Sequence, residues 1–140
     1  MKDSLDVAEW IRYAEMDYNT SLHMSETYHP VPLEIVCYHC QQSAEKALKA
    51  YAIAQSEPLT KTHDLETILE QCMKYDERFS AFGLICPILT VYAVLSRYPV
   101  GEDSINEHDM KIALKNAFEI LKFTKARIIE LEQRDAPCSG

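Results

Sequence analysis

The stretch from Cys40 to Tyr51 combines strong helix formers with an unusual set of polar groups. Ala, Glu, Lys, Leu and Gln dominate it and no glycine or proline interrupts it, so it is predicted to form an α-helix. At about 100° per residue, five polar side chains gather on one side of this helix: Tyr38, Gln41, Gln42, Glu45 and Lys49. A phenol, two amides, a carboxylate and an ammonium over about three turns could bind a polar ligand or a protein partner.

The alternative is that this polar side is ordinary solvated surface. Glu45 and Lys49 would then form an i,i+4 pair that contributes a few tenths of a kcal/mol. In that case, replacing Lys49 by alanine would change the free energy of unfolding by no more than about 0.5 kcal/mol. Spacing alone favours this alternative.

Two further groups lie at predicted helix ends. His63 follows Thr62 at a helix start, where an imidazole could bind phosphate or act as an acid or base, or could simply cap the helix and pack against the loop. Arg97 and Tyr98 lie at another helix end, where a guanidinium suits the helix dipole whatever its function. A cluster of these cations could bind phosphate while Tyr38 or Tyr98 stacks on a base.

The sequence predicts no metal, cofactor or redox site. Cys37 and Cys40 match the C-x-x-C spacing and His39 lies between them. Both thiols, however, fall inside a predicted helix, and no second pair supplies the remaining zinc ligands. We therefore expect both cysteines to be small buried residues. The three glycines are scattered, so no phosphate-binding loop is present.

Apolar periodicity predicts the two helices that carry or adjoin the polar side. The first runs from Asp3 or Ser4 to Thr27, and its apolar stripe recurs at helical spacing: Val7, Ile11, Ala14, Tyr18 and Leu22. The second opens at Pro32 and ends near Gln55. Its core stripe lies opposite the polar side: Val36, Cys40, Ala44, Ala47, Leu48 and Tyr51.

Further helical segments follow. Thr62 is predicted to cap a third helix that ends near Lys74. An apolar segment from Phe79 should be kinked or restarted by Pro87 and end at Ser96. The last helix begins near Ser104 or a competing cap at Asn106 and ends near Gln133. With no alternating strand pattern, we expect an all-α bundle of four or five helices, with one domain over 1–134 and a frayed tail over 135–140.

Composition excludes several classes of protein. The 140 residues are 47% hydrophobic and carry a net charge of −8, which fits one globular domain and opposes extended nucleic-acid binding. No apolar run approaches the roughly 18 residues of a membrane span, and the start does not resemble a signal peptide. We therefore expect a cytoplasmic protein.

Four blocks of the sequence resemble HEPN domains (higher eukaryotes and prokaryotes nucleotide-binding) in order and approximate spacing. The blocks are Trp10-Ile11-x-x-Ala14-x-x-Asp17-Tyr18-x-x-Ser21, Cys40 to Lys49, Thr62-His63-Asp64-Leu65 and Arg97-Tyr98-Pro99. The resemblance covers nearly the whole chain. It implies an up-and-down helical bundle, often a homodimer, whose frequent partner is a minimal nucleotidyltransferase. Such domains act as the substrate-binding subunit or as one member of a toxin–antitoxin pair.

The resemblance also distinguishes two branches of the family. HEPN proteins that cleave RNA carry an arginine, four to six residues and then a histidine near the start of the last helix. Here ten residues separate Arg97 from His108, and no other arginine has a histidine at the required distance. The resemblance therefore implies the non-catalytic branch.

Three hypotheses remain open at this stage. The first is a non-catalytic module that binds a nucleotide or a nucleotidyltransferase partner. Its candidate binding residues are Tyr38, Gln42, Glu45, Lys46, Lys49, His63, Asp64, Arg97 and Tyr98. The second is an RNase toxin with a degenerate site. The third is a purely structural dimerisation module.

Overall fold

Three long helices build the frame of the molecule. A computed structural model describes residues 4–95 and 105–135 of the chain. The α-helices are α1 (Ser4–Thr27), α2 (Leu33–Ala54), α3 (Leu65–Met73), α4 (Ile85–Thr90), α5 (Tyr92–Leu95) and α6 (Glu107–Asp135), with a 3₁₀ helix over Glu77–Phe82. Over these described residues no strand is present, so the predicted all-α bundle is confirmed.

Helices α1 and α2 are antiparallel and pack closely through small side chains. Ser43 Oγ donates to the carbonyl of Ala14 at 2.7 Å, and Ser21 Oγ donates to the carbonyl of Val36 at 3.1 Å. The predicted stripe of α1 is wrong at its end, because Leu22 is exposed and Ser21 is buried. Val7, Ala14 and Ser21 are buried seven residues apart, as in coiled-coil packing. The predicted stripe instead ended with two successive steps of four residues, and the second step passed the contact and reached Leu22.

Helix α2 lies at the centre of the bundle and contacts α1, α3, α4, α5 and α6. All six residues of its predicted core stripe are buried, which confirms that part of the prediction. Gln41, Glu45 and Lys49, on the side opposite that stripe, are buried as well. The solvated-surface alternative is therefore wrong, because a helix surrounded by neighbours has no fully solvated side.

The residues that follow α2 cap its C-terminal end. Ser56 adopts a left-handed conformation with φ of 66°. The amides of Ser56 and Glu57 donate to the carbonyls of Ile53 and Ala52, respectively, which is a Schellman motif.

The residue that caps α3 is Asp64 rather than the predicted Thr62. The Asp64 carboxylate accepts a hydrogen bond from the amide of Glu66, whereas the Thr62 hydroxyl accepts one from the amide of Asp64, which precedes the helix.

The segment between α3 and α6 differs in detail from the sequence prediction. The apolar run from Phe79 divides into the 3₁₀ helix and α4, and the restart comes at Ile85 rather than at Pro87. Proline is tolerated in the first turn of a helix, where its missing N–H leaves no bond unmade. Phe79 anchors the segment by packing on Tyr51 of α2 and Phe123 of α6, with ring centroids 4.6 and 5.0 Å apart.

Helix α6 begins with a reciprocal cap. Asn106 Oδ1 accepts from the amide of Asp109 at 2.7 Å, and Asp109 Oδ2 accepts from the amide of Asn106 at 3.1 Å. Asn106 is thus the cap, while Ser104, the other predicted cap, lies outside the described residues. The helix extends to Asp135, one residue into the predicted tail.

One exposed surface of the molecule is aliphatic. Four exposed aliphatic side chains recur every three or four residues along α4, α5 and the residues just before each of them, and we name them the aliphatic face: Leu84, Ile88, Val91 and Val94. No charged residue occurs anywhere from 79 to 95. A group of exposed apolar side chains close together in the sequence is typical of an interaction site.

No helix within the described ranges 4–95 and 105–135 is both long enough and apolar enough to cross a membrane.

Candidate functional site

A buried carboxylate organises the polar side of α2. Glu45 is 3% exposed and Lys49 is 5% exposed. Lys49 Nζ donates to Glu45 Oε2 at 3.0 Å, and Gln41 Nε2 donates to Glu45 Oε1 at 3.0 Å. Gln42 Nε2 in turn donates to Gln41 Oε1 at 2.7 Å. The charges are paired and hydrogen-bonded, as buried ions must be.

His63 connects this buried network to the surface. Its Nδ1 lies 3.0 and 3.2 Å from the two oxygens of Glu45, and its side chain is 58% exposed. Gln41 Nε2 also donates to the backbone carbonyl of His63 at 3.3 Å. The buried carboxylate therefore fixes the orientation of an exposed imidazole, which can offer a hydrogen bond to a partner.

A second ion-pair cluster links α1 to the same helix. Asp17 of α1 lies between two side chains of α2, with Lys46 Nζ at 2.5 Å from one carboxylate oxygen and His39 Nδ1 at 2.9 Å from the other. The Asp17 side chain is largely buried. Lys46, like Lys49, is thus already paired with a carboxylate.

An open groove lies beside these clusters. Its volume is about 440 Å³, and it is lined by Asp6, Glu9, Trp10, Tyr13 and Lys46. Two lysines face its aromatic rings, because Lys49 Nζ is 5.9 Å from the Trp10 ring centroid and Lys46 Nζ is 5.8 Å from that of Tyr13. Both distances fall within the range of a cation–π contact, which contributes about 0.5–1 kcal/mol at an exposed site. The groove thus combines aromatic surface with a carboxylate-bearing rim.

Comparison with known proteins identifies the fold family. A model of the HEPN domain matches residues 7–128. The chain belongs to the HEPN family. The fold is also similar to the crystal structure of an archaeal HEPN homologue, with a TM-score of 0.62, 22% identity, and coverage of 87% of this chain and 97% of that chain. No curated protein matches the chain.

The HEPN fold of this chain brings together only some of the residues predicted for the site. Gln42, Glu45, Lys49 and His63 belong to one hydrogen-bonded network, and Lys46 lies in the neighbouring Asp17 cluster. Arg97 and Tyr98 lie outside the described residues. The structure therefore brings two stretches of the chain, α2 and the loop before α3, to one site.

Two of the predicted residues make other contacts in this HEPN domain. The Asp64 carboxylate is occupied as the α3 cap, accepting from the Glu66 amide at 3.1 Å and from Thr67 Oγ1 at 2.9 Å. Tyr38 packs edge-on against His39, with ring centroids 5.5 Å apart. Asp64 is thus a capping residue, whereas Tyr38 adjoins the Asp17 cluster.

Sequence reasoning missed the contribution of α1 to the HEPN site. Asp17, Trp10 and Tyr13 reach the polar side of α2 from a neighbouring helix. Asp17 carries a charged side chain on the same side of α1 as the buried residues Ala14 and Ser21, which lie about one helical turn before and after it. A carboxylate next to an apolar stripe signals a paired, partly buried ion, and this signal could have identified it.

The C-x-x-C pair of this HEPN domain lies in the core. Cys37 and Cys40 are fully buried, and burial raises the pKa of each thiol to about 12. Both thiols are therefore protonated at neutral pH and lack the nucleophilic thiolate form. No group of three or more potential metal ligands is present within the described ranges.

Proposed function

We propose that this HEPN domain is a non-catalytic binding subunit whose groove between α1 and α2 docks a protein partner. By the family resemblance, that partner is a minimal nucleotidyltransferase, in a substrate-binding or toxin–antitoxin type of complex. His63 and the ring of Tyr13 are the exposed contacts, while Glu45 and Asp17 hold the polar side chains behind them in position.

The observation that carries this proposal is the neutralisation of the site's lysines. Lys46 and Lys49 each contact a carboxylate at 3.0 Å or less. A phosphate in the groove would compete with Asp17 for Lys46 and would also meet the carboxylate of Asp6, while the other carboxylate of the rim, Glu9, is paired with Arg12 at 2.9 Å. The negative charges of a phosphate and a carboxylate repel each other. An aromatic groove with an acidic rim instead suits a protein surface that carries basic and apolar side chains.

We further infer that the protein is a homodimer formed through the aliphatic face. In a two-fold dimer, each residue near the axis meets its own copy. For a chain with a net charge of −8, an interface free of charged residues avoids like-charge contacts. The segment 79–95, which carries the aliphatic face, meets this condition.

Substitutions at the groove and at His63, which the Glu45–Lys49 pair connects to it, are expected to weaken binding of the nucleotidyltransferase. Tyr13→Ala and His63→Ala should each lower the affinity about tenfold or more, because contacts at the centre of an interface contribute most of its energy. Both side chains are exposed, so the fold should tolerate the changes. Calorimetric titration with a purified minimal nucleotidyltransferase from the same cell measures the effect.

Tyr28→Ala is the matched control, because Tyr28 is about as exposed as Tyr13 but follows the end of α1. Its affinity for the nucleotidyltransferase should equal that of the wild type. Unchanged affinity in Tyr13→Ala and His63→Ala would contradict the assignment of the groove. An affinity for ATP that falls in Tyr13→Ala would show instead that the groove binds a nucleotide.

We also predict that the purified protein does not cleave RNA. A histidine acting as acid or base must reach the scissile phosphate beside its arginine partner, and no arginine in this sequence is followed by four to six residues and then a histidine. Incubation with a labelled single-stranded RNA should leave it intact. Reproducible cleavage that is lost in both Arg97→Ala and His108→Ala would contradict the prediction.

A further inference from the structure

A long apolar groove, which we name the α1–α6 groove, lies between the first and last helices. It consists of two adjoining cavities of about 500 and 160 Å³ that share the lining residues Lys125 and Ile129. Most of its inner surface is apolar and includes Ile11, Tyr18 and Phe118. It shares no lining residue with the groove between α1 and α2 or with the aliphatic face. It is therefore a separate surface of the molecule.

The α1–α6 groove has the shape of a site for one helix. Helices α1 and α6 each pack more closely against α2 than against each other, so the space between them is open. Its lining extends over 7–19 of α1 and 118–132 of α6, which corresponds to about 20 Å. Phe118 and Ile129 are 42% and 52% exposed there. A helix of about 13 residues would cover both side chains and form a four-helix arrangement with α1, α2 and α6.

One edge of the groove carries positive charge that is mostly unpaired. Four lysines recur at helical spacing on the side of α6 that lines the groove: Lys111, Lys115, Lys122 and Lys125. Among residues 4–95 and 105–135, only Lys125 of these four pairs with a carboxylate, that of Glu15 at 3.1 Å. Lys122 instead lies 6.0 Å from the centroid of the Phe118 ring. In a chain with a net charge of −8, this edge would attract an acidic partner.

We propose that the α1–α6 groove docks an acidic amphipathic helix of a partner protein. The apolar side of that helix covers Tyr18, Phe118 and Ile129. Carboxylates seven residues apart along one edge of the helix pair with Lys115 and Lys122, which have the same separation. In this mode of recognition the apolar anchors supply most of the affinity, and the charged edge sets the orientation of the helix.

RNA is the other occupant that a row of lysines suggests, and the groove fits it less well. Phosphates follow one another at every nucleotide, so some of them would face Glu15 and Glu132, which also line the groove. The net charge of −8 repels a polyanion at longer range as well. A helix, in contrast, can place its carboxylates opposite the lysines alone.

Binding of a synthetic peptide to the full 140-residue chain tests the proposal. The probe is an alanine-rich peptide of about 18 residues, long enough to be partly helical, with leucines at helical spacing and two glutamates seven residues apart. A second peptide has glutamine in place of both glutamates. Fluorescence anisotropy at low ionic strength should show that the acidic peptide binds about fivefold or more tightly than its glutamine counterpart. This difference should shrink as salt rises.

Matched variants locate the binding site. Lys122→Glu should weaken binding of the acidic peptide about fivefold or more and leave the glutamine peptide unaffected. Lys61→Glu is its control, because Lys61 is also exposed but lies in the loop after α2. Ile129→Asp should weaken binding of both peptides about tenfold or more, since it places a carboxylate against their apolar side. Ile112→Asp should bind as the wild type does, because Ile112 is an exposed residue of α6 outside the groove.

Several results would overturn the proposal, and none of them depends on the groove between α1 and α2. They are absence of binding at millimolar concentration, equal affinity for the two peptides, and equal affinity in the wild type and Ile129→Asp. A single-stranded RNA that binds the wild type more tightly than Lys122→Glu, while the acidic peptide does not bind, would assign the groove to nucleic acid. A smaller oligomer for Ile129→Asp than for the wild type in light scattering would assign it to a second copy of the chain.

Discussion

Replacing Lys49 by methionine is expected to lower the free energy of unfolding by about 3 kcal/mol. The substitution leaves the Glu45 carboxylate buried without its ammonium partner, and breaking a buried ion pair in this way typically costs about 3–5 kcal/mol. His63 still contacts both oxygens of Glu45 from a half-exposed position, so the loss should fall near the lower end of that range. Urea denaturation followed by circular dichroism measures the change.

The matched control is Lys125→Met. Lys125 also pairs with a glutamate, Glu15, but both side chains are about 40% exposed, so its loss should be under about 1 kcal/mol. The double variant Glu45→Leu/Lys49→Met should recover much of the stability lost in Lys49→Met, because it removes both buried charges together. An equal loss in Lys49→Met and Lys125→Met would contradict the role of burial.

Placing a carboxylate on the aliphatic face is expected to separate the proposed dimer. If the aliphatic face forms its interface, Ile88→Asp brings two aspartates together near the two-fold axis and buries both, at a cost of several kcal/mol. The dimer dissociation constant should rise by about 100-fold or more. Light scattering at micromolar concentration should give twice 16.1 kDa for the wild type and 16.1 kDa for the variant.

Leu59→Asp provides the control for this experiment. Leu59 is 57% exposed and Ile88 is 51% exposed, but Leu59 lies in the loop after α2, away from the aliphatic face in the sequence. This variant should remain dimeric. A monomeric wild type would contradict the proposed homodimer, whereas an Ile88→Asp variant that remains dimeric would contradict the assigned face.

The long helices could be predicted from the sequence because their signals are local. Apolar periodicity and terminal residues gave the ends of α1 and α2 to within a residue or two. The same local rules did not predict the division between the 3₁₀ helix and α4. Phe79 of the 3₁₀ helix packs against two other helices, and contacts of this kind between distant residues leave no local signal in the sequence.

The site was only partly predictable because its contacts join distant parts of the chain. The i,i+4 spacing correctly suggested that Glu45 and Lys49 could pair, but it could not show that the pair is buried. Burial depends on all the helices around α2. Similarly, the contacts of Asp17 with His39 and Lys46 depend on the register of two antiparallel helices. That register follows from tertiary packing, which local periodicity does not specify.

Purification of the tagged chain from its native cell, with identification of the bound proteins by mass spectrometry, tests the proposed function most directly. If the groove between α1 and α2 docks a minimal nucleotidyltransferase, that protein should co-purify in near-stoichiometric amount with the wild type and with Tyr28→Ala. The Tyr13→Ala variant should retain much less of it. Recovery of the wild-type chain without a nucleotidyltransferase, or equal recovery with Tyr13→Ala, would contradict a partner-binding HEPN domain that uses this groove.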